Sequence, residues 1–168
     1  MSYLMKLMAR IDDKALRIIP GSTIMRLRIG LLKKAGASIG QDVFIGQGVR
    51  VLNPDGLTIE PHVNIARDTV LDARGGLTIR YGCLIGFETV LLTRTHNSGV
   101  PGIPVQDQGM YEKPIVLEAN VWLGARVVLM PGVKIEQDTI VGTGSLVTKS
   151  LKETAIYGGT PARRISDR

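Results

Sequence analysis

The sequence has one cysteine, Cys83, in 168 residues. A single thiol cannot form a disulfide within its own chain, and such a composition is typical of proteins that fold in a reducing compartment. Cys83 stands at an inward-pointing position of the repeat described below. We therefore interpret it as a core thiol, with a nucleophile or redox site as the minor alternative.

Long apolar runs are also missing. Apolar residues recur through Met1–Ala35, but charged residues interrupt them every few positions. No run is long enough for the core of a signal peptide or for a membrane span. We therefore expect a cytoplasmic protein.

Aromatic residues and histidines are scarce. Aromatic residues make up 4% of the chain, so its net charge of +6 comes without the stacking residues or base-reading motifs of nucleic-acid-binding proteins. We expect no nucleic-acid partner. The two histidines, His62 and His96, are too few for a three-histidine zinc site within one chain. His62 follows Pro61 at a predicted turn, and we interpret it as structural.

The sequence contains instead a repeat with a period of six residues. The stretch Ile39–His96 divides into three similar lines that begin at Ile39, Ile59 and Ile79, each 20 residues after the last. The phase returns after an interruption at residues 97–116, now with 18 residues between lines. All 15 positions that keep this spacing, here called anchors, are Ile, Leu or Val: Ile39, Ile45, Val51, Ile59, Ile65, Leu71, Ile79, Ile85, Leu91, Leu117, Leu123, Leu129, Ile135, Val141 and Val147.

A period of six matches neither an amphipathic helix nor an alternating strand. It requires a repeat architecture in which each turn of the chain covers the apolar residues of the turn before it. Four residues after most anchors the side chain is small or β-branched, as at Val43 and Thr95, and Leu151 is the larger exception. A large anchor and a small inward partner would fill a narrow core. Glycines directly follow five anchors, where we expect corners with positive φ: Gly40, Gly46, Gly86, Gly124 and Gly142.

This pattern resembles the hexapeptide-repeat family, whose signature is an aliphatic residue, often followed by glycine, then two variable residues and a small one. The resemblance implies an all-β repeat, a left-handed parallel β-helix of about five coils with three short strands each. It divides the chain into an N-terminal helical cap at 1–35, an acyltransferase domain at 36–152 with an extruded loop at about 97–116, and a tail at 153–168 that contributes to donor binding.

The N-terminal segment carries the net charge of the chain. Its eight basic residues against Asp12 and Asp13 give +6, which leaves the remaining residues balanced. Pro20–Gly21 divides the segment into two predicted helices. We expect these helices to cover the open end of the solenoid. A compatible alternative is peripheral binding to anionic lipid at the inner membrane face, at about 1 kcal/mol per well-placed cation.

The interruption of the repeat carries the main functional signal. The third coil ends at His96, and about twenty residues follow before the repeat resumes. A loop of this length in a compact repeat fold is usually functional, and its three prolines and the pair Met110–Tyr111 predict a structured arm. A histidine at this junction has both rigid support and an exposed edge.

Here the resemblance sharpens to the O-acetyltransferases of the family, which include galactoside and maltose acetyltransferases and enzymes that acetylate bacterial surface polysaccharides. Their shared features are a histidine before an extruded loop, a Met-Tyr return, a Trp-containing restart, and a last coil followed by Gly-x-Pro-Ala-Arg. This chain matches them at His96, Met110–Ile115, Asn120–Gly124, Gly142–Lys149 and Gly159–Arg163. Its N-terminal segment and Gly-Leu-Thr insertions look most like the polysaccharide-modifying branch.

The resemblance implies an acetyl-CoA-dependent O-acetyltransferase that acts on a sugar hydroxyl of a surface polysaccharide or its precursor, by direct transfer in a ternary complex. His96 is then the general base, because imidazole titrates near neutral pH and can take a proton from the attacking hydroxyl. Asp72 and Glu88 are candidates for orienting its ring. The candidate acceptor-binding residues are Asp72, Arg74, Glu88 and Tyr111, and no metal is required.

For the donor, the resemblance implies a groove between the subunits of a homotrimer. The small residues at equivalent points of coils four and five would let an extended chain lie close to the backbone. Lysine and arginine would bind its phosphates, and Trp122 would shield the thioester, although a packing role beneath the loop suits Trp122 equally well. The candidate donor-binding residues are Trp122, Gly124, Ala125, Gly142, Thr143, Thr148, Lys149, Arg163 and Arg164.

Two departures concern the acceptor. Ala66 replaces an acceptor-binding asparagine of several sugar acetyltransferases, and Gln108–Gly109 replaces an acidic residue often found before Met-Tyr. The alternatives to this enzyme are a non-catalytic hexapeptide-repeat scaffold or binding protein, and a metal-dependent enzyme similar to the carbonic anhydrases built on this fold. Retention of His96 and Lys149 argues against the first, and the histidine count argues against the second. Two-step transfer through Cys83 is a further minor option.

Overall fold

The computed structural model describes residues 21–168. It begins with helix α1, Gly21–Lys34, and continues as short strands that wind into a left-handed parallel β-helix, as predicted. The first of the two predicted N-terminal helices falls in residues 1–20, outside the described residues. Within residues 21–168 no helix is long and apolar enough to cross a membrane.

Five complete coils contain three strands each. Those of coils one to three are β1 (Ser38–Ile39), β2 (Phe44–Ile45), β3 (Arg50–Leu52), β4 (Leu57–Ile59), β5 (Asn64–Ile65), β6 (Val70–Asp72), β7 (Leu77–Ile79), β8 (Leu84–Ile85) and β9 (Val90–Leu92). An arm with strands β10 (Arg94–His96) and β11 (Met110–Glu112) follows. Coils four and five contain β12 (Ile115–Leu117), β13 (Trp122–Leu123), β14 (Val128–Leu129), β15 (Lys134–Ile135), β16 (Ile140–Val141) and β17 (Leu146–Val147). A partial sixth turn holds β18 (Ile156–Gly158), on which β19 (Arg163–Ser166) folds back antiparallel.

Each coil contributes one strand to each of three sheets. Sheet 1 has the order β1-β4-β7-β12-β15, sheet 2 the order β2-β5-β8-β13-β16-β18-β19, and sheet 3 the order β3-β6-β9-β14-β17. We name the bends by the sheets that they join. Corner 1 leads from sheet 1 to sheet 2, corner 2 from sheet 2 to sheet 3, and corner 3 from sheet 3 to sheet 1 of the next coil. The arm leaves from corner 3.

The anchors form the core because the same position faces inward in every coil. Fourteen of the 15 are buried, and Val51 in the first coil is half-buried against them. Neighbouring coils pair in register, as Ile59 does with Ile79 in sheet 1. The inserted Leu57 and Leu77 are buried too, so the 20-residue lines lengthen the strands of sheet 1 without disturbing the core.

One predicted inward partner is wrong. Thr95 is not buried, because the chain has already left the coil for the arm at this point. Thr93 is buried in its place, and its hydroxyl donates to the Asp72 carbonyl at 2.8 Å and accepts from the Gly75 N–H at 2.8 Å. The end of coil three is thus hydrogen-bonded to the coil beside it before the arm begins.

The glycines that follow the anchors do not have positive φ, contrary to the prediction. The left-handed residues stand two positions later, at Glu88 and Arg126 for example. A Cβ on Gly86 would lie 2.5 Å from the carbonyl carbon of Gly124, and a Cβ on Gly124 would lie 2.7 Å from the nitrogen of Thr143. Glycine is required at these two positions because the backbone of the next coil occupies the space of a side chain.

Helix α1 covers the first coil, as predicted for the cap. Leu32 is buried in the core, and the Arg28 guanidinium donates to the Gly46 carbonyl at 2.7 Å. At the other end, β18 and β19 extend sheet 2, and the side chain of Arg168 contacts Asp138 Oδ1 at 3.3 Å. Elements outside the complete coils therefore pack at both ends of the solenoid: α1 at the first coil, and β18 and β19 after the fifth.

Candidate active site

His96 lies at the base of the arm that leaves corner 3 after coil three. The two stems, β10 and β11, pair antiparallel with His96 opposite Met110 and Thr95 opposite Tyr111. The predicted extruded arm is confirmed, and its paired stem begins at Arg94, before the histidine. Because two strands support each other here, His96 stands on regular structure and not on a loose loop.

An open pocket of about 630 Å³, lined mainly by residues of the arm, lies beside His96. His96 and Tyr111 line it from the two stems, Val100 and Ile103 line it from the far part of the arm, and Met130 lines it from coil four. The His96 side chain is exposed, and within residues 21–168 no protein group is hydrogen-bonded to its ring. A ring that faces open space in this way can exchange a proton with a ligand in the pocket.

Neither candidate for orienting the His96 ring is placed to do so by a hydrogen bond within the described residues. Glu88 is at corner 2, where its carboxylate accepts a hydrogen bond from Arg126 Nε at 2.6 Å. This hydrogen bond is the main reason that the pKa of Glu88 lies below its ordinary value. Asp72 ends β6, and its carboxylate accepts from the Arg74 backbone N–H at 3.2 Å. In the described part of the chain, neither carboxylate is hydrogen-bonded to the ring.

Arg74 joins the base of the arm to the earlier coils. Its Nε donates to Asn53 Oδ1 at 3.2 Å and lies 4.0 Å from Glu112 Oε1. Arg94, opposite Glu112 in the hairpin, places a guanidinium nitrogen 3.9 Å from the same oxygen. One carboxylate of the arm thus faces two guanidinium groups. Sequence reasoning missed Asn53 and Glu112, because they are distant in the chain and only the winding of the coils brings them together.

Corner 3 also carries part of the predicted donor site. Thr148 and Lys149 follow β17, next to Met130 of coil four, whose N–H donates to the Val147 carbonyl at 3.0 Å. Both Thr148 and Lys149 are exposed. Because neighbouring strands lie about 4.8 Å apart, Lys149 is roughly two coils, or about 10 Å, along the corner from the coil that carries His96.

The other donor candidates of coils four and five lie away from corner 3. Trp122 points outward from sheet 2 between Leu84 and Ile140 and is 47% exposed. Four small residues stack at corner 2, where the Gly144 N–H donates to the Ala125 carbonyl at 2.8 Å: Gly124, Ala125, Gly142 and Thr143. Within one chain, sheet 3 separates this group from His96. Within one chain Trp122 does not pack beneath the arm, because Trp122 is on sheet 2 and the arm leaves from corner 3.

The two arginines of the tail differ in their surroundings. Arg164 places Nε 3.5 Å from Glu153 Oε2 and also pairs with Asp167. Arg163 is exposed on β19, and its guanidinium donates to the Ala162 carbonyl at 3.0 Å. Two carboxylates therefore occupy Arg164, whereas Arg163 keeps more of its planar donor group available for a phosphate.

The two histidines lie on different corners, as predicted. His62 is at corner 1, with its ring edge-on to Tyr81 at a centroid distance of 5.2 Å and its Nε2 3.9 Å from Asp42 Oδ2. Among residues 21–168 no three His, Cys, Asp or Glu side chains are grouped so that they could hold a metal ion. The described residues thus offer no support for the zinc-dependent alternative.

Cys83 lies in the core, as predicted. It is 1% exposed, and its thiol donates to the Glu118 carbonyl at 3.1 Å. Burial raises the pKa of the Cys83 thiol to about 11. A thiol that stays protonated and buried at neutral pH is a poor nucleophile, so the two-step alternative lacks a reactive group at this position.

Comparison with known proteins identifies the class. The model of the family described as bacterial transferase hexapeptide (six repeats) matches residues 114–149. WcaF of Escherichia coli (strain K12), named as a colanic acid biosynthesis acetyltransferase, is 32% identical over 145 residues, which are 86% of this chain and 77% of WcaF. Galactoside O-acetyltransferase of Lactococcus lactis subsp. lactis (strain IL1403) is 33% identical over 149 residues, covering 82% of this chain and 67% of that enzyme.

A solved structure agrees with these relatives. A hexapeptide-repeat containing acetyltransferase of Vibrio cholerae O1 biovar eltor, complexed with acetyl coenzyme A, matches with a TM-score of 0.80 at 25% identity, over 98% of this chain and 82% of that chain. The three stacked parallel sheets and the extruded arm place the chain in the class of β-helix proteins. With the sequence relatives above, the chain belongs to the hexapeptide-repeat acetyltransferases, which makes it an acyltransferase.

Proposed function

We propose that this enzyme transfers an acetyl group from acetyl-CoA to a sugar hydroxyl, with His96 as the general base. One observation carries the proposal: His96 faces an open pocket at corner 3, in line with the exposed Thr148 and Lys149 of coil five. The proposed base His96, the pocket proposed for the acceptor and Lys149, the proposed phosphate ligand, thus all lie along corner 3. The acetyl-CoA complex of the Vibrio cholerae relative supports the choice of donor.

The proposed chemistry is a direct transfer in a ternary complex. The unprotonated imidazole nitrogen of His96 takes the proton of the sugar hydroxyl as that oxygen bonds to the acetyl carbonyl carbon. The carbon–sulfur bond breaks, and the sulfur leaves with coenzyme A and receives the proton back from His96. Imidazole suits this cycle because its pKa lies near working pH, and positioned base catalysis contributes roughly 10²–10⁴-fold. Burial of Cys83 favours direct transfer over a thioester on the enzyme.

For the donor, we place the acetyl end beside His96 and the phosphates toward coil five and the tail at 153–168. Lys149 and Arg163 are the preferred phosphate ligands, because both are exposed and Arg164 is already paired with Glu153 and Asp167. Arginine suits bidentate contact with phosphate, and lysine acts as a point charge. The Thr148 hydroxyl would donate a hydrogen bond to the pantetheine part of acetyl-CoA.

We propose a homotrimer, because the donor candidates of one chain lie on two different corners. A neighbouring copy could bring its corner 2, with Ala125 and Thr143, against the corner 3 that carries His96. Sheets 2 and 3 support such contacts, since their outward faces display apolar side chains: Phe44, Leu84 and Trp122 on sheet 2, and Val70, Val90, Val128 and Leu146 on sheet 3. Unpaired apolar surface of this kind marks an interaction face, and a head-to-tail contact closes into a ring.

For the acceptor, we propose a hydroxyl of a surface polysaccharide or of its precursor. The names of the relatives support a sugar, since one is a colanic acid biosynthesis acetyltransferase and another acts on galactosides. Tyr111 lines the pocket and would contact the sugar directly. Arg74 and Asp72 at the base of the arm would contact it from below, and Glu88 would have to come from a neighbouring chain.

The division of the chain follows from the same proposal. Residues 36–152 would form the acyltransferase domain, and residues 1–35 would cap it and bind the inner membrane face peripherally. Of the basic residues in this segment, Arg26, Lys33 and Lys34 are exposed on α1. Use of acetyl-CoA favours a cytoplasmic enzyme.

The experiment is a screen of mono- and oligosaccharide acceptors that follows thiol release from acetyl-CoA, with mass analysis of the product. His96→Ala should lower kcat by about 10³-fold, within the range of positioned base catalysis. Its trimer and its affinity for coenzyme A, measured by calorimetry, should not change. His62→Ala at corner 1 is the matched control and should keep full activity. Normal turnover by His96→Ala with a true acceptor would refute the proposed base.

A further inference from the structure

One side chain, Gln108, organises the interior of the arm. It follows the short helical turn Val105–Asp107 and precedes β11. Its amide oxygen accepts a hydrogen bond from the Val100 N–H at 3.0 Å. Its amide nitrogen donates to the carbonyls of Val100 at 3.0 Å and Ile103 at 2.8 Å. Three hydrogen bonds from one side chain thus close the arm on itself.

The contact with Val100 runs in both directions, like the pairing of two peptide groups. Only a primary amide, carried by Gln or Asn, can donate twice and accept at the same time in this geometry. The arm is also tied at its stem, where the Asn97 N–H donates to the Gly109 carbonyl at 3.1 Å and the Asn97 side chain donates to the Gln108 carbonyl at 3.1 Å. Residues 97–109 therefore form one hydrogen-bonded loop with Gln108 at its centre.

The segments that Gln108 holds are walls of the pocket that faces His96. Val100 and Ile103 both line this pocket. They are 52% and 47% exposed, so apolar burial contributes little to holding them in place. The amide hydrogen bonds are thus the main described interactions that define the shape of the far wall.

We propose that Gln108 is a positioning residue for the acceptor: its amide holds Val100 and Ile103 in place across the pocket from His96. The inference rests on the proposed function, because it takes this pocket as the acceptor site. All three side-chain hydrogen bonds of Gln108 lie within the arm, whereas Lys149 follows β17 and Arg163 is on β19. Loss of its hydrogen bonds should therefore weaken acceptor binding and leave donor binding unchanged, since a misplaced wall costs binding and orientation of the substrate.

The test compares Gln108→Glu with Gln106→Glu. The first change keeps the shape of the side chain but removes both N–H donors and sets a negative oxygen against two carbonyl oxygens. Gln106 is an exposed residue of the neighbouring turn, so the same change there controls for the added charge. Gln108→Met, which removes all three hydrogen bonds without adding charge, separates loss of the bonds from repulsion.

The first readout is amide hydrogen exchange of the full-length protein, followed in peptides that cover residues 97–109. Exchange of the Val100 amide should become about tenfold faster or more in both Gln108 variants, because opening of a local segment controls exchange. Gln106→Glu should exchange like the parent protein. Unchanged exchange in the Gln108 variants would overturn the proposal.

The second readout is kinetic, with methyl β-D-galactoside or the sugar found in the acceptor screen as the probe. Gln108→Glu should raise the acceptor KM about tenfold with kcat within about twofold, as expected for loss of binding shared by ground and transition states. The coenzyme A dissociation constant should not change. A fall in kcat at constant KM would overturn the positioning role. If His96→Ala stayed active while Gln108→Glu still raised KM, the proposed base would fail and this inference would stand.

Discussion

Leu117 pairs with Ile79 in sheet 1 in the same register in which Ile79 pairs with Ile59. Along the chain, the arm lies between Ile79 and Leu117, whereas only an ordinary coil lies between Ile59 and Ile79. Coils three and four therefore stack as though the arm were absent. The β-helix does not need the arm for its own backbone hydrogen bonds, so we expect the coils to fold without it and folding to be separable from the function proposed for the arm.

This separation predicts the effect of removing the arm. Residues 94–114 can be replaced by Arg-Gly-Gly, the sequence of residues 74–76 that makes the same bend one coil earlier. The free energy of unfolding should change by less than about 2 kcal/mol, because two effects oppose each other. Closing the shorter loop costs less conformational entropy, but the contacts within the hairpin are lost. Acetyl transfer should disappear with His96. Circular dichroism and urea titration measure the first effect, and an unfolded variant would contradict the separation.

Close stacking of the coils predicts a large cost for one methyl group. Gly86→Ala would place a Cβ within 2.5 Å of Gly124 and 2.6 Å of the Ala125 nitrogen, and both contacts are with backbone. The free energy of unfolding should fall by about 1–3 kcal/mol, as in other overpacked cores. Gly99→Ala on the arm is the control, because no atom beyond its chain neighbours lies within 4 Å of the place that its new methyl group would take. Equal stability of the two variants in urea titrations would refute the claim that the backbone of the next coil excludes a side chain at Gly86.

The buried thiol predicts a loss of stability in alkali. Burial raises the pKa of Cys83 from 9.0 to about 11, so the folded state holds this proton more tightly than the unfolded state. The contribution of this proton to the free energy of unfolding is complete below pH 9 and is lost as the pH rises through about 11. The free energy of unfolding falls by on the order of 2 kcal/mol over this range. Urea titrations of the parent and of Cys83→Ala at about pH 8 and about pH 10.5 should show a steeper decline in the parent, and parallel declines would contradict the assignment.

The proposed intersubunit site predicts complementation. His96→Ala should lower transfer by about 10³-fold because it removes the proposed base, and Ala125→Tyr should lower it strongly because it blocks corner 2. If a site takes His96 from one chain and Ala125 from its neighbour, randomly mixed trimers should recover about a quarter of the active sites. Mixed trimers prepared by refolding together can be assayed for thiol release. No recovery in verified mixed trimers would mean that the two residues act within one chain, and full activity of Ala125→Tyr alone would mean that corner 2 takes no part.

Much of this structure could be predicted from the sequence because the repeat is local. Each anchor faces inward for the same reason, and the period of six already determines which residues fill the core. The same reasoning identified the extruded arm and the histidine before it. It failed at Thr95, because the point at which the chain leaves the coil depends on the hydrogen bonds that Thr93 makes to Asp72 and Gly75 of the preceding coil.

The sequence by itself determined the stacked coils, the buried state of Cys83 and the position of His96 at the start of the arm, since all three follow from the phase of a short repeat. The left-handed β-helix was implied by the resemblance to the hexapeptide-repeat family. Only the tertiary structure decided why Gly86 and Gly124 must be small, how Gln108 closes the arm, and which predicted donor residues share a corner with His96. Those relations depend on distances between residues that the winding of the chain brings together, and a pattern within one coil does not contain them.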